Sequence, residues 1–252
     1  MANILFKKSY HLKNFENIPY EDLWNRDGIF TTIRVTGKPI KFLFLKEHIK
    51  NFNFSLKKFS INFYLSEIFF ENKIKILFKN NYFYDHLLRI AISKKTISIS
   101  LRKRINTKKN FIGMLVNYQR SNPSLKNLKY LKILKFIGSV KNNKCEIILF
   151  KNNKILEGCT TNIICIKNNR IYSPKSNYYK GITLKFFLKK FKKKIIMKDI
   201  SKNFLSQSDE IIIVGSGKGV AKIDSIPQIC WKSSKEVFFK KFYNMYSLEV
   251  KQ

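Results

Sequence analysis

Hydrophobic positions recur along the chain with two periods, and the switch from one to the other marks its elements. FTTIRV, residues 30–35, is β-branched and aromatic, closes on Thr36-Gly37-Lys38-Pro39 and resumes as IKFLFL, which predicts a β-hairpin. Glu47 to Phe59 carries Ile49, Phe52, Leu56 and Phe59 at helical spacing, and LLRIAIS, residues 87–93, returns to strand. From Lys94 to Arg120 the pattern weakens into basic, Ser-rich and Asn-rich sequence, and Ser121-Asn122-Pro123-Ser124 is the clearest breaker in the chain. Beyond it, LKNLKYLKILKF sets Leu125, Leu128, Leu131 and Ile133 or Leu134 close to the helical period, predicting an amphipathic helix opened by Lys126. CEIILF, KILEG, TTNIICI and RIYSP predict short strands. The Lys-Asn-Asn triplets at 151–153 and 167–169 predict hairpin turns, because Asn tolerates positive φ. Gly181 to Lys194 predicts a second helix with Leu184, Phe187, Leu188 and Phe191 on one face. DEIIIVGSGKG predicts a buried strand running into a glycine-rich turn.

A length of 252 residues is one large domain or two small ones, long enough for a sizeable core. Fifty Lys and Arg against sixteen Asp and Glu give a formal charge of +34, yet 44% hydrophobic and 15% aromatic residues exclude a disordered basic tail. Such charge points toward nucleic acid. A second cause competes with that reading: the basic residues are forty-three Lys and seven Arg, in company with excess Asn, Ile and Phe, the pattern of an A+T-rich coding sequence. Cys145, Cys159, Cys165 and Cys230 form no C-x-x-C pair and fit a reducing cytoplasm. No uncharged stretch approaches the about 20 residues of a membrane span, and the start does not read as a secretory signal.

Three features carry candidate chemistry. Gly215-Ser216-Gly217 closes an apolar run, Ile211 to Val214, with free N–H groups and a hydroxyl suited to an anion, although such a turn is more often a plain connection. Gly181-Ile182-Thr183 starts a helix, where unpaired N–H groups and the dipole also favour an anion; an ordinary cap is the competing reading. The third is a charged pair. Lys126 follows the breaker, and a lysine in a partly dry cleft can form a Schiff base and move protons. Glu157 ends a strand just before a glycine, and a carboxylate facing a pyridine nitrogen would keep that nitrogen protonated.

With these residues in place, the chain resembles the fold-type IV pyridoxal-phosphate enzymes: branched-chain aminotransferases, D-amino acid aminotransferases and aminodeoxychorismate lyases. The likeness runs from about Asp27 to Asp224, with motifs in the family's order: RDGIFTTIRV, EHIKNF, LKNLKYL, LEGCTTNI, KGITL and DEIIIVGSGKGVAKI. The resemblance implies a two-domain α+β or α/β fold. Residues 1–118 would be a small N-terminal α/β domain, 119–125 an interdomain loop, and 126–252 a larger β-rich C-terminal domain, with pyridoxal 5′-phosphate at the interface. It makes Lys126 the Schiff-base lysine and Glu157 the partner of the pyridine nitrogen. Ile182, Thr183, Gly215, Ser216 and Gly217 would hold the 5′-phosphate. Where the family has a phosphate-binding arginine, three residues after His48, this chain has Asn51, and the arginine that usually follows the Gly-Ile-Thr turn is replaced by Leu184.

Within the family, the spacing Lys126-Asn127-Leu128-Lys129 and the opening Phe30-Thr31-Thr32 with Arg34-Val35 resemble the lyases. The positions of the D-amino acid enzymes' Arg-x-His pair are apolar here, Ile99 and Leu101. Thr31, Arg102 and Arg104 are substrate candidates, a solvated loop being the plainer reading of the two arginines. The resemblance thus implies a lyase that forms 4-aminobenzoate, with an aminotransferase as the alternative. A third reading is a family member that has lost catalysis and binds nucleic acid non-specifically. A small-molecule substrate, a cytoplasmic homodimer, no membrane, no metal and no specific nucleic acid complete the expectation.

Overall fold

The computed structural model describes residues 4–105, 109–140, 144–192 and 194–251. It divides into two units, Met1–Asn106 with Leu125–Leu131, and Thr107–Ser124 with Lys132–Gln252. Both are mixed α/β.

In the first unit, β1 (Ile4–His11), β2 (Asn17–Ile18), β3 (Gly28–Gly37), β4 (Lys41–Phe42), β5 (Tyr84–Ser93) and β6 (Thr96–Lys103) form a six-stranded antiparallel sheet in the order β2-β1-β6-β5-β3-β4. Helix α1 (Leu45–Lys58) packs on one face, burying Ile49, Phe52 and Leu56. Glu47 in its first turn and Lys57 and Lys58 in its last suit the helix dipole. A short helical stretch beginning with α2 (Glu67–Phe69) adds Phe70 and Ile74. Strand alternation sends Ile29, Ile33, Val35, Leu88, Ile90, Ile97 and Ile99 into this core. Phe30, Thr32, Arg34, Leu87, Arg89 and Arg102 therefore share the opposite face, with Arg34 paired to Leu87, Leu87 to Arg102, and Thr32 to Arg89.

In the second unit, β7 (Asn110–Asn117), β8 (Cys145–Lys151), β9 (Lys154–Gly158), β10 (Asn162–Lys167), β11 (Arg170–Pro174), β12 (Ile195–Lys198), β13 (Glu210–Gly215) and β14 (Gly219–Ile226) form a sheet in the order β12-β11-β10-β13-β14-β7-β8-β9. β15 (Trp231–Lys232) pairs with β14. Its core gathers Phe111, Ile148, Ile163, Ile211, Ile213, Ile223 and Trp231. The remaining helices are α3 (Leu131–Ser139), α4 (Ile182–Lys190), α5 (Lys202–Ser206) and α6 (Val237–Lys251). α4 packs on β13, and α6 on β13 and β14. Asn152, Asn153, Asn168 and Asn169 all have positive φ, 47°, 58°, 49° and 58°, the hairpin turns expected of the two triplets.

Three expectations need correction. The basic stretch from Lys94, where the hydrophobic pattern weakens, is not a loop: Ile97, Ile99 and Leu101 alternate with Ser98 and Ser100 as β6, and β7 follows. The division of the chain is not a single loop at 119–125. β7 pairs in parallel with β8 and β14, which assigns 107–124 to the second unit, while 125–131 lies along β3 in the first. Lys126 does not open a helix. Leu128 N–H bonds Gly28 O and Asn25 N–H bonds Leu128 O, so this segment is extended, and α3 begins only at Leu131.

Candidate active site

Lys126 belongs to the first unit and is half-buried. Its carbonyl accepts from Phe30 N–H at 2.9 Å, Asn127 bridges Ile29, and Leu128 N–H closes on Gly28 O. Gly28 makes this possible: a Cβ there would collide with Ile92 O and stand 2.8 Å from Leu128 Cδ1. The Lys126 Nζ is thereby held 5.0 Å from the centre of the Phe30 ring. Trp24 and Tyr130 pack on that ring with centroids 5.0 and 5.2 Å away. Arg89 lies on the same face of the sheet. Its Cζ is 3.8 Å from the Trp24 ring and 5.4 Å from the Phe30 ring, and its Nη2 donates to Asp22 O at 2.7 Å. Burial lowers the Arg89 pKa to about 10, with Arg102 adding to the shift and Tyr20 and Asp22 opposing it. Arg89 is thus still charged at neutral pH.

The other first-unit candidates separate. Thr31 points away from Phe30 into the core, where its hydroxyl pairs with His48 Nδ1 at 2.8 Å. Strand alternation therefore takes it off the face that carries Lys126. Arg104 shares Asp85 with Arg34, each guanidinium 3.3 Å from one carboxylate oxygen, so it is committed to an internal ion pair. The exposed Arg102 side chain makes no hydrogen bond or ion pair with the described residues and remains a candidate on the Arg89 face. Asn51 stands one turn after His48 on α1, half-buried.

Glu157 belongs to the second unit and is 5% exposed. Arg120 holds it in a fork, Nε to Oε1 at 2.7 Å and Nη2 to Oε2 at 3.0 Å, and Tyr179 N–H donates to Oε2 at 3.2 Å. Arg120 is itself buried and also donates to Pro123 O. This pairing was beyond the reach of sequence reasoning, since Arg120 read as the end of a basic loop. From Tyr179 the network continues: Asn162 donates to Tyr179 O at 2.6 Å and accepts from Gly181 N–H at 3.0 Å. Gly181 caps α4, so Asn162 fixes the approach to the helix N-terminus. Asn162 also sits opposite Val214 in the β10–β13 register, one residue before Gly215. The two anion candidates, 181–183 and 215–217, are therefore neighbours across Thr161 and Asn162.

These residues fit a phosphate group. Thr183 is 1% exposed, and its buried hydroxyl has no hydrogen-bond partner among the described residues, a costly arrangement unless a ligand completes it. The first N–H groups of α4 lack intrahelical acceptors at the same place. Gly215 leaves room beside Thr160 O, 2.9 Å from where a Cβ would stand. Leu184, fully buried in the same helix, occupies the position of the missing arginine as a core residue.

Residues 28–226 match the family model for amino-transferase class IV. The chain belongs to the class IV aminotransferase family. It is a fold-type IV enzyme whose cofactor is pyridoxal phosphate. Among solved structures it is similar to a protein named as a candidate 4-amino-4-deoxychorismate lyase from Legionella pneumophila, with 20% identity over 88% of this chain and 91% of that one and a TM-score of 0.75. A branched-chain aminotransferase from Thermoproteus uzoniensis shares 16% identity over 95% and 93% of the two chains, TM-score 0.79. A hypothetical aminotransferase from Mycobacterium tuberculosis, in a pyridoxal-phosphate-bound form, shares 12% over 96% and 98%, TM-score 0.79. At these identities the likeness concerns the fold. No curated protein matches the chain. Among the described residues of this enzyme, no helix is long and apolar enough to cross a membrane.

Proposed function

We propose that the enzyme is a 4-amino-4-deoxychorismate lyase, which releases pyruvate and leaves 4-aminobenzoate for folate synthesis. The observation that supports this above aminotransfer is the company Lys126 keeps. Its ammonium lies on Phe30, backed by Trp24 and Tyr130, and the same sheet face carries the Arg89 and Arg102 guanidinium groups. Aromatic walls with two cations suit a cyclic, unsaturated acid bearing two carboxylates. Ile99 and Leu101, where D-amino acid aminotransferases carry Arg-x-His, are 0% and 1% exposed and belong to the core.

Pyridoxal phosphate, when bound, supplies an electron sink for charge left on the substrate. Lys126 would attach it and, once displaced by the substrate amine, take a proton from the ring carbon and return one to the departing enolpyruvyl group. Glu157, held in place by Arg120 and Tyr179, would face the pyridine nitrogen and keep it protonated. The Thr183 hydroxyl, the Ile182 N–H and the 215–217 turn would take the 5′-phosphate, with Asn51 contributing a neutral hydrogen bond in place of an arginine. A homodimer in a reducing cytoplasm fits the family resemblance and four free cysteines.

The decisive assay feeds aminodeoxychorismate and measures pyruvate with no keto-acid acceptor present. Equal yields of pyruvate and 4-aminobenzoate are expected. Turnover that begins only when an acceptor is added would establish the aminotransferase reading, which the likeness to branched-chain enzymes keeps as the alternative.

A further inference from the structure

A second buried carboxylate lies in the second unit, outside the groups given a role above. Glu146 on β8 is 2% exposed, and each of its oxygens has its own partner: Thr161 Oγ1 donates to Oε1 at 2.7 Å, and Lys218 Nζ donates to Oε2 at 2.6 Å. The two partners belong to the two edges of the phosphate-fitting region. Lys218 is the last residue of the 216–218 turn that joins β13 to β14, and Gly215 pairs with Gly219 across that turn. Its side chain reaches past β7, with Nζ 5.1 Å from the Phe111 ring, to a strand two places away from β14. Thr161 precedes Asn162, which holds Gly181, and Thr161 Cγ2 stands 3.6 Å from where a Cβ of Gly215 would lie. Gly158, the residue after Glu157, is kept without a side chain by the same pair: a Cβ there would collide with both Thr161 Oγ1 and Glu146 Oε1.

Buried ion pairs contribute little net stability, because desolvation cancels most of the attraction. One that joins a loop tip to a strand two places away is better explained by the position it enforces. We propose that Glu146 is a positioning residue for the phosphate cradle, setting the spacing between the 215–218 turn and the α4 N-terminus through Lys218 and Thr161. The inference rests on the reading that these two turns take the cofactor's phosphate.

The test compares pyridoxal 5′-phosphate with pyridoxal, which lacks only the phosphate, by equilibrium titration of the full-length apoprotein. In the wild type the phosphorylated form should bind far more tightly. Glu146→Gln should weaken its binding about 10- to 100-fold, the range for losing a charge-assisted hydrogen bond, and change pyridoxal affinity by less than about threefold. Lys218→Met should do the same, and so should Thr161→Val, whereas Thr161→Ser, which keeps the hydroxyl, should retain wild-type affinity. Lys218 is partly exposed, so its variant serves even if Glu146→Gln fails to fold. If Glu146→Gln and Lys218→Met keep the wild-type preference for the phosphorylated form, or weaken both ligands equally, the positioning role is wrong while the phosphate reading stands. If the wild type shows no preference, the phosphate reading falls and this inference with it. Inorganic phosphate gives an activity-free check: it should raise the melting temperature of the wild-type apoprotein and not that of Glu146→Gln.

Discussion

Replacing Arg120 by Met should be the most damaging single change short of the lysine itself, and its cost follows from the geometry. Glu157 is 5% exposed and accepts two hydrogen bonds from the Arg120 fork, at 2.7 and 3.0 Å. Met fills much of the volume but takes both away from a buried carboxylate, which keeps the Tyr179 N–H at 3.2 Å. Breaking a buried pair from one side costs about 3–5 kcal/mol. Glu157→Gln alone leaves the buried Arg120 charge without its carboxylate counter-charge and should cost a similar amount. The double variant, Arg120→Met with Glu157→Gln, leaves no buried charge and should lose clearly less than the sum of the two single losses. Urea-unfolding midpoints of the four proteins give the coupling energy directly. A pH series adds a signature. In Arg120→Met the stranded carboxyl is easier to bury when protonated, so the folded-state pKa rises above the unfolded value of about 4.3 and stability is lost as pH climbs through that interval. The deficit of this variant should therefore shrink from about pH 8 toward about pH 5, and the shrinkage should vanish in the double variant. A loss under about 1 kcal/mol for Arg120→Met, or strictly additive single losses, would refute the reasoning.

Lys126→Ala should abolish the visible absorbance band that appears on adding pyridoxal phosphate; a band that persists sinks the assignment of the lysine. Arg102→Met should raise KM for aminodeoxychorismate about tenfold or more, with the affinity for pyridoxal phosphate unchanged, as expected for losing a charged hydrogen bond to a carboxylate. An unchanged KM would remove Arg102 from the substrate site. Burial pushes the Cys159 and Cys165 thiols up to about 12, so at about pH 8 a thiol reagent should modify exposed Cys230 first, Cys145 more slowly, and the buried pair only after unfolding. Because these thiols ionise in the unfolded chain before they do in the folded one, their contribution to stability is intact below the ordinary thiol range and declines as pH rises from there toward 12. Glu210 is 1% exposed and accepts from Phe238 and Phe239 N–H at 2.9 and 2.7 Å, anchoring the N-terminus of α6. Glu210→Ala should cost about 2 kcal/mol or more and raise amide exchange along α6.

What was legible in the chain was mostly what local physics decides. Asn pairs at positive φ, the apolar run Ile211–Val214 and the Gly181 cap depend on the residues themselves, and each appears where the pattern put it. The misreading around Lys126 has the opposite cause. Leu125, Leu128 and Leu131 do recur at helical spacing, but Gly28 lets this segment lie against β3, and pairing with Asn25, Gly28 and Phe30 outweighs the local preference for helix. β6 was there to be read in the alternation of Ile97, Ile99 and Leu101 with Ser98 and Ser100, and was obscured by its basic flanks. The partners of Glu157 and Glu146 were not legible at all. Arg120 lies 37 residues from Glu157 and Lys218 lies 72 from Glu146, and no periodicity spans such distances.

The arginines, more than the charge, separate composition from function. A coding bias that writes Lys at forty-three positions leaves Arg at only seven. Four of the seven sit where an ammonium could not replace the planar guanidinium. Arg120 grips Glu157 with two nitrogens, Arg34 and Arg104 divide Asp85 between them, and Arg89 places its Cζ 3.8 Å from the Trp24 ring centre while donating to a backbone carbonyl. Arg26, Arg102 and Arg170 are exposed and fit no such pattern. Of the three, Arg102 shares a sheet face with Arg34 and Arg89 and has no ion-pair partner among the described residues. An exposed guanidinium on the face of Lys126, unpaired among the described residues, is open to a carboxylate from solution. In the proposed reaction a substrate carboxylate would take that place, so of the +34 formal charge it is a single arginine, not the lysine surface, that should decide which acid the enzyme accepts.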